Sequence, residues 1–146
     1  MTKFEEIVGE MAKATGLPLE LDEKDSVSVE ADGLVVTVQY RREKDDVALF
    51  APVAEDADDA TCRAALGLAL HGKGTSGNWL GLFEGAIVMS AFTPLEGLTA
   101  ETLGERLLAF TDAAAAVRAE LGSSGGADAA EPQKQEDLGN FSAIRV

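Results

Sequence analysis

The sequence predicts an α+β fold in the order α-β-β-β-β-α-β-β-α, the first strand short, and three observations carry that prediction. A capped amphipathic segment opens the chain and a longer one closes its main part. Between them, apolar residues recur at every second position in short runs separated by turn residues. One alanine- and leucine-rich stretch near the middle has the composition of a helix.

The first helix is signalled by Thr2 with Glu5 three residues later, the capping-box spacing that satisfies two orphan backbone donors. Phe4, Ile7, Val8 and Met11 follow at helical intervals, and Gly16 and Pro18 end the segment. Leu17, Leu19 and Leu21 then alternate with Pro18 or polar residues as a short strand. Val27 and Val29 do the same in a second, and Asp32-Gly33 is a tight turn into Leu34 to Arg41. That third strand, with Val35-Val36-Thr37-Val38-Gln39-Tyr40 at its heart, is apolar enough to be central. A polar turn from Glu43 to Asp46 leads to a fourth strand with Val47, Leu49, Ala51 and Val53 on one face and Phe50 on the other. Pro52 marks that strand as an edge or as near its end.

Asp56, Asp58 and Asp59 place negative charge at the start of a helix from about Ala60 to His71, with Asp58 or Asp59 as its cap and Gly72 as its stop. Cys62, Ala64, Ala65, Leu66, Leu68, Ala69 and Leu70 make it apolar around nearly its whole circumference. Such a helix must be covered on every side, and burial between the sheet and a second subunit does that. The Gly-rich stretch from Gly72 to Gly77 reads as a flexible connector to a hairpin, in which Trp79, Leu80, Leu82 and Phe83 turn at Glu84-Gly85 into Ile87, Val88, Met89 and Phe92. The last helix starts at Thr99, with Leu98 and Leu103 at staple positions and a face of Leu103, Leu107, Phe110, Ala114, Val117 and Leu121. Gly122 closes it. Residues 1–121 thus form one domain. Residues 122–146 read as a polar linker and tail with an apolar end, Leu138, Phe141, Ile144 and Val146, suited to docking.

A chain of 146 residues is long enough to bury a substantial core, and no apolar run reaches the ~18 residues of a membrane span. The first residues lack the basic start and apolar stretch of a secretory signal, and Cys62 is the only cysteine, so the expected compartment is the reducing cytoplasm. A net charge of -14 argues against nucleic acid, whose phosphates need clustered Lys and Arg. The same charge either draws basic partners or keeps the protein soluble.

Each polar constellation has a plainer structural reading. Cys62 and His71 lie nine residues apart on one expected helix, turned about 180° from each other and separated by roughly 13 Å, so they form no nucleophile–base pair. They read as a buried small cysteine and a helix-end histidine. Gly67, Gly72 and Lys73 imitate a phosphate-binding loop, but Gly74 stands where a Ser or Thr is needed and Gly67 falls inside a helix. Glu55, Asp56, Asp58 and Asp59 lack the spacing, turn glycine and closing glutamate of a calcium loop. Glu84, Glu96, Glu101 and Glu105 sit at solvated turn and helix starts. No cofactor, metal site or catalytic residue is expected, and an enzyme would need a polar cluster assembled from distant residues beside His71.

The second half carries a more specific pattern: Leu80-Gly81-Leu82, Glu84-Gly85, alternating apolar residues, Pro94-Leu95, Gly97-Leu98, then Leu103, Leu107 and Phe110. From Phe4 to Leu121 the chain resembles the class I type III secretion chaperones, the CesT-like or Tir chaperone family. The resemblance implies a strongly twisted antiparallel sheet and a homodimer formed chiefly through the middle helix and a nearby strand. It also implies an extended segment of a secreted effector held in apolar grooves, without nucleotide. The residues after Gly122 have no counterpart in that pattern. The groove candidates are Ile7, Met11, Leu17, Leu19, Leu21, Val27 and Val29, each of which also suits a core. The dimer candidates are Leu66, Leu70, Trp79 and Leu80, for which hairpin packing is the alternative. The expected function is an ATP-independent chaperone that keeps an effector soluble and secretion-competent. The alternative is a small dimeric adaptor or regulatory domain of the same fold that binds a folded partner.

Overall fold

The computed structural model describes residues 2–126, with side chains as far as Gly122, and its helices start where the capping residues put them. In the first helix, α1 (Lys3–Thr15), the Glu5 N–H donates to Thr2 Oγ1 at 3.1 Å and the Thr2 N–H donates to Glu5 Oε1 at 3.0 Å. Gly16 ends α1 in the left-handed conformation, with φ 74°. Then come β1 (Ser26–Ala31), β2 (Leu34–Arg41), β3 (Asp46–Ala54), α2 (Asp59–Ala69), a 3-10 turn (Leu70–Gly72), β4 (Trp79–Phe83), β5 (Ala86–Pro94) and α3 (Ala100–Gly126). The strands form one antiparallel sheet in the order β1-β2-β3-β5-β4, as the α+β expectation requires.

One expected strand is missing. Leu17 to Leu21 form no ladder, so the order is α-β-β-β-α-β-β-α. The reason is local. The Leu19 N–H turns back to the Leu17 carbonyl at 2.9 Å across Pro18, which spends on a three-residue turn the donor a ladder would use, and Pro18 has none to give. Asp22 then shapes the approach to β1. Its carboxylate accepts from the Lys24 N–H at 2.8 Å, the Ser26 N–H at 3.0 Å and the Ser26 hydroxyl at 2.9 Å.

The hairpin turns form as expected. Asp32 and Gly33 have φ 54° and 81°, and Glu84 and Gly85 have φ 50° and 83°, the paired left-handed conformations that match the twist of the flanking strands. β2 is interior but β3 is the middle strand, and this strand contains Pro52. The β2–β3 ladder runs from Arg41–Asp46 to Thr37–Phe50 and ends two residues before Pro52, so the missing N–H costs no bond to β2.

The described chain divides into two units, the first of Met1–Ala51 with Ala91–Thr111 and the second of Pro52–Ser90 with the chain from Asp112 onward. In the first, the register Val27–Val38 and Val29–Val36 puts both β1 valines on the face that β2 buries. Phe4 of α1 stacks on Tyr40 of that same face, ring centroids 5.6 Å apart, so α1 lies on it. Phe4, Ile7, Val8, Met11, Val36, Val38, Val47, Leu49, Leu103 and Phe110 are buried in this unit. In the second unit the buried residues include Val53, Ala65, Ile87, Met89, Ala114, Val117 and Leu121. α3 is capped by Thr99, whose Oγ1 accepts from the Thr102 N–H at 3.1 Å, and the stapling residues Leu98 and Leu103 are both buried. Gly122 does not end α3, which continues to Gly126. Gly122 is outside the left-handed region, and a helical glycine costs only about 1 kcal/mol against alanine. Of the linker and tail expected over residues 122–146, residues 122–126 belong to α3 and the rest lie outside the described residues.

The Gly72–Gly77 loop is held, not loose. Gly74 donates its N–H to the Leu68 carbonyl at 2.9 Å, Gly77 to the Gly72 carbonyl at 2.9 Å, and the fully buried Thr75 donates its hydroxyl to the Asn78 carbonyl at 2.7 Å. A Cβ on Gly74 would lie 2.7 Å from Leu68 Cδ2 and 3.0 Å from the Leu68 carbonyl oxygen. Backbone approach is therefore why glycine stands there, and no phosphate need be invoked. Gly74→Ala is expected to lower stability by about 1–3 kcal/mol, read as a reduced urea midpoint. Gly9→Ala, inside α1 where a Cβ meets nothing, should instead raise it by about 0.5–1 kcal/mol.

Three carboxylates are held below their ordinary range by hydrogen bonds: Asp22 by Ser26, Asp46 by Arg41, and Asp58, the cap of α2, by Thr61. A carboxylate whose folded value is depressed adds stability above its unfolded value near 3.8 and loses it as pH falls through the folded value. Asp58→Ala should therefore destabilise the protein at pH 7, and the difference in urea midpoint should shrink as the pH is taken below 3.8.

Candidate partner-binding groove and apolar face

In the first unit, the chain leaves α1 at Gly16, passes through Leu17 to Leu21 and turns at Asp22 into β1, which is an outer strand of the sheet. Among the described residues, one side of the β1 backbone therefore has no neighbouring strand, and Val27 and Val29 point to the face that α1 covers. Leu17 is exposed, and Leu19, Leu21, Val27 and Val29 are half-buried. Ile7 and Met11, also expected in the groove, are buried in the core of this unit, whereas the other five groove candidates keep part of their surface exposed. The helical spacing that pointed to Ile7 and Met11 marks a buried stripe equally well, and it alone does not separate the two.

The rim of this groove is acidic. Between Gly16 and Asp32 there are six carboxylates, Glu20, Asp22, Glu23, Asp25, Glu30 and Asp32, and a single lysine, Lys24. Asp25 is engaged with Arg42, its Oδ2 accepting from Arg42 Nε at 2.7 Å. The exposed Glu20, Glu23 and Glu30 leave a field that favours an incoming segment with basic side chains.

The second unit carries the larger exposed apolar surface. Leu66 and Leu70, one turn apart at the end of α2, are exposed, Leu66 at 74%. β4, which touches α2 and is the other outer strand, exposes Trp79 at 69%, Leu82 and Phe83. Leu80 is half-buried, because its register partner is the fully buried Met89. Leu82 and Phe83 read from the sequence as hairpin packing residues, and their exposure adds apolar surface on both faces of β4, Phe83 on the face of Trp79 and Leu82 on that of Leu80, beyond the four residues expected there. The signal was present: a strand apolar on both faces at the margin of a sheet has one face left to cover.

The polar groups around β2 and β3 are tied to one another. Arg41 grips Asp46 through two bonds, Nε to Oδ1 at 2.7 Å and Nη2 to Oδ2 at 2.6 Å, while its guanidinium lies 4.3 Å from the centre of the Phe92 ring. The Tyr40 hydroxyl donates to Asp45 Oδ1 at 2.7 Å, which raises the phenol above its ordinary value. These contacts brace the Arg42–Asp45 turn, where Asp45 is left-handed with φ 53°. Cys62 is half-buried, less enclosed than the sequence reading had it, and His71 is exposed in a left-handed conformation beyond the end of α2. Glu84, Glu96, Glu101 and Glu105 are all exposed. Among the described residues no group of three or more His, Cys, Asp or Glu side chains is placed to hold a metal ion, and no helix is long and apolar enough to cross a membrane.

This architecture recurs in solved structures. The HopA1-SchA chaperone-effector complex superposes with a TM-score of 0.62 at 19% identity, covering 83% of this chain and 91% of that one. The ExsC-ExsE complex gives 0.66 at 24% identity, with 78% and 92% covered. The Yersinia pestis type III secretion chaperone SycH, solved with a stable fragment of YscM2, gives 0.61 at 17% identity, with 79% and 99% covered. No curated protein matches in sequence. The profile of the Tir chaperone protein (CesT) family, however, matches residues 6–118, and the chain therefore belongs to that family.

Proposed function

We propose that the chain is a type III secretion chaperone of the bacterial cytoplasm, which binds an extended segment of a secreted effector and keeps it soluble and secretion-competent without ATP. The observation that carries this reading is where the exposed apolar side chains fall. Leu66, Leu70, Trp79, Leu82 and Phe83 are exposed on or beside the outer strand β4, and exposed Leu17 leads through half-buried Leu19 and Leu21 to half-buried Val27 and Val29 of the outer strand β1, with Val35, Phe92 and Leu108 exposed elsewhere. The polar groups around β2 and β3 are bonded to each other. That distribution suits holding a chain and performs no bond chemistry.

The two surfaces have different work. The α2–β4 margin leaves Leu66, Leu70, Trp79, Leu82 and Phe83 exposed, Trp79 and Phe83 on one face of the strand and Leu82 on the other, too much apolar surface to stay wet, and pairing two copies of this margin covers it symmetrically. The groove at β1 suits a single extended segment. Such a segment satisfies its own backbone donors and acceptors by pairing with the free side of β1, and every second side chain turns toward Val27 and Val29. Fixing each client residue costs about 1–2 kcal/mol of backbone entropy, so the client must contribute apolar side chains along its length. Binding of this kind reaches equilibrium unaided, which is why no nucleotide is needed.

Light scattering is expected to give twice the 15.2 kDa protomer mass for the purified protein. Leu66→Asp with Trp79→Asp should weaken dimerisation at least 100-fold and yield monomer. Val27→Asp with Val29→Asp should leave the dimer intact and weaken the hold on a co-expressed effector about 10- to 100-fold, measured by retention on an affinity resin. A dimer that retains no effector at low or physiological salt would overturn the chaperone reading. An effector protected from protease along its whole length would point to the adaptor alternative, since an extended client stays cleavable outside the held stretch.

A further inference from the structure

β1 is an outer strand, but its outer side is not open along its whole length. The Tyr40 N–H donates to the Asp25 carbonyl at 3.0 Å, and the register continues from there as Ser26–Gln39, Val27–Val38, Ser28–Thr37, Val29–Val36 and Glu30–Val35. In an antiparallel ladder, bonded pairs alternate with unbonded ones. Val27, Val29 and Ala31 therefore spend their backbone groups on β2, and Ser26, Ser28 and Glu30 turn theirs outward. Ser26 is already taken. Its N–H donates to Asp22 Oδ1 at 3.0 Å, its hydroxyl donates to Asp22 Oδ2 at 2.9 Å, and its carbonyl accepts from the Asp22 N–H at 2.9 Å. Asp22 thus stands where a neighbouring strand would run, and its carboxylate also accepts from the Lys24 N–H at 2.8 Å, which holds the turn that carries it. At the far end the chain leaves the ladder through the left-handed Asp32 and Gly33. What is left to pair is the N–H and C=O of Ser28 and of Glu30, which meet no bonding partner among the described residues.

We infer that Asp22 and Glu30 set the register and the chemistry of the segment that adds to β1: Asp22 stops it short of Ser26, and Glu30 selects a lysine or arginine beside it. The inference rests on the reading of β1 as the strand that receives a client, and it names the client that strand takes. In either strand direction, client residues in register with Val27 and Val29 lie on the α1 side, and those in register with Ser28 and Glu30 lie on the opposite face. The first pair must be apolar. On the opposite face Ser28 shares a hydrogen bond with Thr37 at 2.9 Å, and a hydroxyl or small side chain continues that row. The exposed Glu30 faces Val35 across the ladder, and among the described residues its carboxylate has no cation. An opposite charge in register with it is favourable and a like charge is not.

The preferred client therefore places an apolar residue beside Val27, a hydroxyl or small one beside Ser28, an apolar one beside Val29 and a basic one beside Glu30. A slip of one residue turns every client side chain to the wrong face. A slip of two toward Asp22 meets backbone groups that are already bonded and takes the basic residue away from Glu30. Asp22 and Glu30 thus act together, one by closing the edge and the other by marking where the charge must fall.

Amide hydrogen exchange on the full chain tests the geometry. Ser26, Val27 and Val29 should exchange at least about tenfold more slowly than Ser28 and Glu30, relative to their intrinsic rates. The probes are a synthetic peptide alternating valine with threonine or lysine, and a twin with glutamate in place of lysine. The lysine peptide should slow exchange at Ser28 and Glu30 and leave Ser26 as it was. Asp22→Ala should speed exchange at Ser26 and let the peptide protect it, whereas Asp22→Asn, which keeps an acceptor oxygen, should behave as the wild type does. The lysine peptide should bind about three- to tenfold more tightly than its twin. Glu30→Lys should remove most of that preference, and Glu10→Lys, the same change of net charge on the exposed side of α1, should leave it in place. Peptide protection that reaches Ser26 in the wild type, or a preference lost equally in both lysine variants, would overturn the inference. If the peptides behave as stated but no co-expressed effector is retained, the edge chemistry stands and the chaperone reading alone fails. If an effector is retained but the peptides never slow Ser28 and Glu30, the chaperone reading stands and this inference fails.

Discussion

A five-stranded sheet that does not close has two margins, and in this chain neither outer strand is broken by proline; β1 carries a single charged residue, Glu30, and β4 carries none. β1 presents Val27 and Val29, and β4 is apolar on both faces. Each margin is a row of backbone groups with an apolar face beside it, which is a template for another chain. What the protein can do follows from what is allowed to sit at those margins. One margin is continued by the exposed Leu66 and Leu70 at the end of α2, which makes its apolar surface broad. The other is continued by the single stretch from Leu17 to Leu21, which keeps it narrow.

Such a molecule must stay apart from wrong copies of itself, and its net charge of -14 supplies the repulsion. The two forces have different ranges. Charge acts over a Debye length of about 8 Å at physiological salt, whereas burial of apolar surface acts only at contact. Like-charged copies therefore repel before their apolar surfaces meet, and the same charge suits either that dispersal or a basic partner.

Much of this was legible in the sequence because it was written locally. Thr2 with Glu5, Asp58, and Asp32-Gly33 and Glu84-Gly85 each name a backbone event decided within four residues, and each occurs as read. The misreadings share the opposite property. Alternation at Leu17, Leu19 and Leu21 is a strand signal, but the turn at Pro18 consumes a donor before any neighbour can use it. Gly74 looked like freedom and is constraint, because the atom that forbids a Cβ belongs to Leu68, six residues away on another element. Gly122 looked like a stop, yet a glycine ends a helix only when it adopts the left-handed conformation. Ile7 and Met11 were placed in the groove by periodicity, which reports that a residue faces something apolar without saying whose it is. Trp79 and Leu66 lie on elements whose apolar surface the described chain leaves exposed.

The bracing around β2 and β3 gives the groove its usefulness. Arg41 on Asp46, Arg42 on Asp25 and Tyr40 on Asp45 are exposed or half-exposed contacts, and pairs of that kind add little net stability. Their effect is geometric. Asp25 is bound to Arg42 by its side chain and to the Tyr40 N–H by its carbonyl at 3.0 Å, so the start of β1 is fixed to β2 from two directions. An outer strand anchored in that way does not have to be ordered when a client arrives. A strand already ordered leaves the ordering entropy of any such pairing to the incoming segment, which lowers what binding costs on the protein's side.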